Sequence, residues 1–454
     1  MQAGQTKNGA GMTAAASLWL GLFPLLHFGT YSRITLDKWI LMFILAGITL
    51  ACFLTDLFMK RLSRPRLLPL CLGAGLLLWI VISCLASPYS SGIWWIGASA
   101  RREGLAAQLC YLGLFFLFAF SRVNSRPVLY AAAGGVLAFG AVVLLQRAGY
   151  NPFGLYPAGR SYATNPEFQG PVGNVDMSAG CLLLLFGFLL AETGSAFRAR
   201  AAGKWFSLHA AAGCAALLAA LFLLVLMGVQ FSLLTLAALA AVLLFRLVPK
   251  QHRLLFLVLL AVAVFLAVWF WPGTSGGLWE LHEILRGRPQ LSFGSNRLAV
   301  WLYSLSMAGS GRLFTGSGSD TFALRFNQYL QQQELVLPER QGDLLLPHYF
   351  DNPHNEYLAH LLNHGLPALL LFAALILSVF LVREKRKSPL CWRAAVFCYA
   401  VQAFFSFSVC LVAPMFWVVL GLAAGRPGCG IPPEPAESGA IQASSTEKRI
   451  ESPK

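Results

Sequence analysis

The sequence predicts an all-α, polytopic integral membrane protein of about twelve transmembrane helices, with one large external loop before the third-last helix. Two observations predict it. Of 454 residues, 57% are hydrophobic and only 12% are charged, roughly half the charged fraction of a soluble domain. The apolar residues also gather into runs long enough to cross a bilayer, which takes about 20 residues. Together these exclude a soluble enzyme, a secreted disulfide scaffold and a disordered chain. The net charge of +15 fits basic cytoplasmic loops before it fits nucleic acid. Of the ten cysteines, all but Cys429 lie in or beside apolar runs, so no disulfide framework is expected.

The spans fall near 12–29, 39–58, 67–86, 104–121, 128–146, 173–192, 205–227, 231–248, 254–271, 357–382, 393–409 and 411–425. The first lacks a basic leader and reads as a span, not a cleavable signal. Runs this long and unbroken suit helices and not barrel strands. Basic residues set the sidedness. One set of alternate loops holds Lys60, Arg61, Arg64 and Arg66, then Arg122 and Arg126, then Arg198, Arg200 and Lys204. It continues through Arg246, Lys250 and Arg253 to Arg383, Lys385, Arg386, Lys387 and Arg393. The short loops of the other set are poorer in such charge, which puts the first set in the cytoplasm. Residues 1–11 are then a cytoplasmic N-terminus, 12–271 the first nine helices, and 272–356 a large external loop. Residues 357–425 form the last three helices. The Pro/Ser/Glu/Lys-rich stretch 426–454 is expected to be a disordered cytoplasmic tail.

Beyond Lys38, the external basic residues include Arg101, Arg102, Arg147, Arg160, Arg286, Arg288, Arg297, Arg312, Arg325 and Arg340. The planar guanidinium fork grips phosphate oxygens two at a time, whereas Lys is a mobile point charge. Ordinary loop charge is the competing explanation. In Asp351-Asn352-Pro353-His354-Asn355-Glu356-Tyr357, Asn352 or Asp351 with Pro353 reads as a cap and first helical turn. That sets His354 at the outer water–lipid boundary, where an imidazole can take a proton from a hydroxyl. Glu356, His360 and His364 are spaced four apart, a zinc-compatible helix face, but polar packing within the bundle explains them more simply. No Asp-x-Asp pair, phosphate-binding loop or Gly-x-Ser-x-Gly elbow occurs. Charged residues near the spans (Asp56, Glu192, Arg246) sit at span ends, which disfavours a proton-coupled transporter.

The stretch from His354 to Ala368 resembles the signature of the O-antigen ligase and O-antigen polymerase superfamily of bacterial envelope glycosyltransferases: His354-Asn355, nine residues, then Gly365-Leu366-Pro367-Ala368. Ala368 departs from the usual last position. Arg297 with Trp301 resembles the family's Arg-x-x-x-Trp element, Gly316 and Gly318 with Phe322 its Gly-x-Gly-x-x-x-Phe turn, and Arg102 with Gly104 its Arg-x-Gly. The Ser-Arg-Gly or Ser-Arg-Ala often found near position 230 is missing; the chain reads Val229-Gln230-Phe231-Ser232. The resemblance implies a bacterial cytoplasmic (inner) membrane location. It also implies a polyprenyl (undecaprenyl) diphosphate-linked glycan donor, a glycan, lipid or protein acceptor, and no cofactor. His354 is expected as general base, Arg297, Arg102 and Arg101 as diphosphate ligands, and Asn355 and Glu356 as orienting groups. Gly365, Trp301, Gly316 and Gly318 are expected to shape the site. A lipid-linked glycan flippase or exporter, and a non-catalytic polysaccharide-assembly protein, are the competing functions.

Overall fold

A computed structural model of the chain describes residues 9–200, 208–335, 338–341, 344–347, 349–381 and 390–425. The tail 426–454, most of the segment 1–11 and the basic cluster 383–387 lie outside the described residues. Apart from one short antiparallel hairpin, β1 (Pro338–Gln341) and β2 (Leu344–Pro347), the regular elements are helices.

In chain order, α1 (Ala10–Ser17), α2 (Ile34–Phe58), α3 (Leu67–Leu85), the short α4 (Ser91–Ile96), α5 (Leu105–Ala119) and α6 (Ser125–Arg147) come first. Then follow α7 (Val175–Arg200), α8 (Leu208–Met227), α9 (Gln230–Leu247) and α10 (Arg253–Trp269). The long segment 272–356 carries α11 (Gly277–Leu285), α12 (Arg297–Gly309), α13 (Phe322–Gln332) and the hairpin. The chain ends on α14 (Glu356–His364), α15 (Leu366–Leu381), α16 (Leu390–Gln402) and α17 (Ala413–Ala424). Among the described residues, seven helices (α2, α3 and α6–α10) are long and apolar enough to cross a membrane. The α1 region, α5, α15 and α17 are shorter apolar helices. Every span expected from the sequence contains a helix, but several bounds move for physical reasons.

The first span ends early. After α1 the chain loosens into a π turn at Leu18–Leu22 and a 3-10 turn at Phe23–Leu25, where Pro24 cannot continue an α-helix. The carbonyls of Phe23 and Pro24, where the helix ends, accept hydrogen bonds from Lys38 Nζ at 2.6 and 2.9 Å. Lys38 is fully buried within α2, so it is a core residue and not the loop charge expected. In an apolar bundle each freed backbone group needs such a partner.

The expected span 357–382 is two helices. Gly365 stops α14 with φ +84°, a left-handed value that favours glycine. The Leu366 N–H then donates to Leu313 O at 2.8 Å, not to the preceding helix. The last two spans also part further than expected: α16 ends at Gln402 and α17 begins at Ala413.

The core is built by α5, α7 and α17 with the helices around them. Every residue of α17 is buried. By contrast α10 buries only Val268 and turns the rest of its apolar surface outward.

Gly365→Ala tests the break between α14 and α15. A Cβ there would lie 1.9 Å from Phe314 O, and the left-handed backbone adds strain. The expected loss is on the order of 3 kcal/mol in a thermal or denaturant unfolding series. Gly134→Ala, on a helix position with nothing within 4 Å, should be neutral or stabilising by up to about 1 kcal/mol.

Candidate active site

Four irregular stretches of backbone meet: residues 97–104, 313–321, 351–355 and 403–408. The first is the turn between α4 and α5. It doubles back so that Gly104 N–H donates to Ile96 O at 3.1 Å, with Gly97 at φ +89° and Arg102 at φ +57°. A Cβ on Gly104 would lie 2.4 Å from the Ile96 carbonyl carbon, which gives the Arg-x-Gly spacing a steric reason. The carboxylate of Asp320 gathers this turn. Its Oδ1 accepts from Arg101 Nε at 3.0 Å, and its Oδ2 accepts from the N–H groups of Ala98 and Glu103 at 2.8 and 3.2 Å.

The second stretch carries Gly316 and Gly318. The N–H groups of Ser317 and Gly318 donate to Asn363 O at 2.9 and 2.7 Å, and the Phe322 N–H donates to Asn363 Oδ1 at 3.0 Å. A helix end leaves carbonyls without partners, and this turn satisfies the end of α14. Contact is backbone to backbone: a Cβ on Gly316 would lie 2.4 Å from Asn363 O. Gly316 and Gly365 are therefore steric requirements of one docking contact, while a Cβ on Gly318 would instead lie 2.9 Å from Ser87 Oγ.

The third stretch presents His354. Asn352 Oδ1 accepts from the His354 N–H at 2.8 Å, and His354 itself adopts φ +48°. Left-handed backbone at a non-glycine residue is strained and is often found at functional sites. The cap expected from Asn352 or Asp351 with Pro353 falls instead to Asn355, whose Oδ1 accepts from Leu358 N–H at 3.0 Å. Asn352 is used in the turn before the helix, because Pro353 and His354 lie outside it. Glu356 is buried; its N–H donates to Ala403 O at 2.8 Å and its Oε2 accepts from Tyr399 at 2.9 Å. Asn355 and Glu356 thus fix the start of α14.

The fourth stretch joins the others. The Phe407 ring packs edge-on against the His354 imidazole, centroids 5.4 Å apart. The Arg101 guanidinium lies 5.1 Å from the same ring's centroid. Beside it, Ser408 donates to Glu103 Oε2 at 3.3 Å and Tyr111 donates to Glu103 Oε1 at 2.7 Å. Burial pushes the Glu103 carboxyl up to about 7, against the pull of Tyr111 and Arg101. Burial also raises Asp320, while Arg101 and the two backbone donors pull it down. A cavity of about 30 Å³ touches Arg101, Glu103, Glu356, His360, His364 and Ser408. A larger apolar groove along α10 and α11 holds none of these residues.

Trp301 ties α12 to the His354 turn, its Nε1 donating to Pro353 O at 2.8 Å. Arg297 stands one turn earlier on the same helix face and pairs with Asp176 at 3.6 Å. Arg102 stacks 5.7 Å from the Trp39 ring centroid. Other arginines are committed elsewhere. Arg325 donates to Leu362, Met307 and Gly311 carbonyls, Arg312 to Ala86 O, and Arg288 pairs with Glu283. Arg286 lies over Trp269, Arg160 is exposed, and the Arg340 side chain is outside the described residues. Among the described residues no three His, Cys, Asp or Glu side chains form a metal-holding group; His364 Nε2 instead bonds Ser319 Oγ at 2.9 Å.

Residues 215–373 match the family model described as O-antigen ligase. Over this segment, about a third of its length, the chain is similar to the O-antigen ligase family. No curated protein matches the chain. The matched segment runs from α8 into α15 and contains Arg297, Trp301, Gly316, Gly318, His354 and Gly365. It does not contain Arg101, Arg102 or Phe407. Near Gln230, Arg147 Nη2 donates to Leu226 O at 2.9 Å, so a guanidinium from α6 stands at the end of α8. Sequence reasoning missed Asp320, Glu103 and Phe407. Only Asp320 carried a local hint, since it follows the Gly316–Gly318 turn directly.

Two measurements check this arrangement. Trp301→Phe should destabilise by about 1 kcal/mol through the lost bond to Pro353, read as a lower unfolding midpoint. Glu103 has a folded-state pKa raised above its unfolded value, so its contribution to stability is lost as pH rises from the ordinary carboxyl range through about 7. Glu103→Gln should therefore gain on the wild type at pH 8, by an amount on the order of 3 kcal/mol, and show no gain at pH 4. Thermal unfolding across that range reads the difference.

Proposed function

We propose that the chain is an O-antigen ligase- or polymerase-type glycosyltransferase. It moves a glycan from a polyprenyl-diphosphate carrier to an acceptor hydroxyl at the outer face of the bacterial cytoplasmic membrane. The observation that carries this reading is the meeting of the His354 imidazole and the Arg101 guanidinium on the Phe407 ring, beside a turn tied by Trp301 to the helix of Arg297. The family match over residues 215–373 supports the same reaction class.

In this reading the acceptor oxygen attacks the anomeric carbon as the bond from that carbon to the diphosphate oxygen breaks. His354 takes the hydroxyl proton as general base. Arg297, Arg101 and Arg102 stabilise negative charge growing on the departing polyprenyl diphosphate. Attack from the side opposite the leaving group inverts the anomeric configuration. A diphosphate is already a good leaving group, so the step calls for neither a nucleotide nor a metal. The carrier's isoprenoid tail stays in lipid, and the apolar helices provide the matching surface. Asn355 and Glu356 keep the His354 turn in register with α14.

His354→Ala, with membrane insertion verified, should reduce transfer from a labelled polyprenyl-diphosphate glycan by at least about 100-fold. Wild-type transfer by that variant would remove the base. Arg297→Lys should fail nearly as badly as Arg297→Ala, because Lys lacks the bidentate fork; full activity in Arg297→Lys would sink that role. Release of polyprenyl diphosphate by the purified protein separates this reading from a flippase, exporter or assembly scaffold, none of which breaks the glycosyl bond.

A further inference from the structure

The guanidinium that shares the Phe407 ring with His354 is itself held. Arg101 has 7% of its side chain exposed, and its Nε is bonded to Asp320. Its Nη1 is buried with no hydrogen-bond partner among the described residues. Glu103 does not take that place, because its two oxygens accept from Tyr111 and Ser408. Asp320 meets Arg101 across 219 residues of chain. It adopts φ +56°, a strained conformation for a non-glycine residue. Gly97 has no room for a side chain on the other side: a Cβ there would lie 2.4 Å from Asp320 Oδ2. Backbone strain, a required glycine and three donors all converge on one carboxylate.

We propose that Asp320 is a positioning residue, which orients the Arg101 guanidinium and so sets how strongly this protein holds the diphosphate of its donor. It bonds Nε of the fork and leaves Nη1 without a hydrogen-bond partner among the described residues. This rests on the charge role given above to Arg101. A side chain held by one anion at Nε, with a ring on its face, has lost most of its rotamer freedom before a second anion arrives. Asp320 also cancels the charge of Arg101 in the unliganded protein, which burial would otherwise make costly.

A double-mutant cycle on the full chain in detergent or proteoliposomes tests the proposal, with KM for a polyprenyl-diphosphate glycan, KM for the acceptor and kcat as readouts. Asp320→Asn in the wild-type background should raise the donor KM by about ten-fold and leave the acceptor KM within about two-fold. In the Arg101→Gln background the same substitution should change the donor KM by less than about two-fold, since the group it acts through is gone. Where Asp320→Asn fails to fold, Asp320→Glu carries the test. It keeps the charge but displaces the carboxylate, and should raise the donor KM only when Arg101 is present. Multiplying effects in the double variant, or equal losses in donor and acceptor KM, would overturn the inference and leave Asp320 a purely structural residue. A wild-type donor KM in Arg101→Gln would instead remove the charge role of Arg101 itself.

Discussion

The carbonyl oxygen of Asn363, at the end of α14, is the point on which the site turns. A helix that stops inside an apolar bundle leaves carbonyls that water does not reach. The N–H groups of Ser317 and Gly318 fill that need, and the fit is so close that Gly316 and Gly365 have no room for a Cβ. This docking fixes the chain at Asp320, two residues on from Gly318. Through Asp320 it fixes Arg101, and at its other end α14 begins beside His354. One satisfied helix terminus therefore sets two of the charged or titratable groups of the site.

His354, Arg101 and Arg102 lie on irregular backbone, while the helices supply the frame. Residues 97–104, 351–355 and 403–408 belong to no long helix, yet each is bound tightly: by Asp320, by Asn352 and Trp301, and by the N–H of Glu356 with Ser408. Irregular backbone among membrane helices is stable only where protein groups replace water as partners. The cost shows as left-handed φ values at Arg102, Asp320 and His354, the three non-glycine positions that face this constraint. Strain of this kind persists where surrounding bonds outnumber it.

Much of this was legible in the residues. The membrane class, the helix positions and the Gly316, Gly318 and Gly365 triplet could be read because hydropathy and glycine spacing are local signals. Asn355 as the cap was misread as Asn352 or Asp351, since Asx residues serve both turns and helix starts and their spacing to Pro353 fits either. The break inside 357–382 escaped because an apolar run does not reveal where another segment will dock its backbone. Lys38 passed for a loop charge because its partners, the carbonyls of Phe23 and Pro24 where the first helix gives way, are visible only once the chain folds.

The sequence alone determined that this is a bundle of apolar helices, and it singled out His354, Arg297 and the glycines as candidates. Short-range pattern suffices for the first, and motif spacing for the second. Only the tertiary structure decided that Phe407, Asp320 and Glu103 complete the constellation. Each reaches its partner across a long separation in the chain, through side-chain contacts that leave no periodic trace.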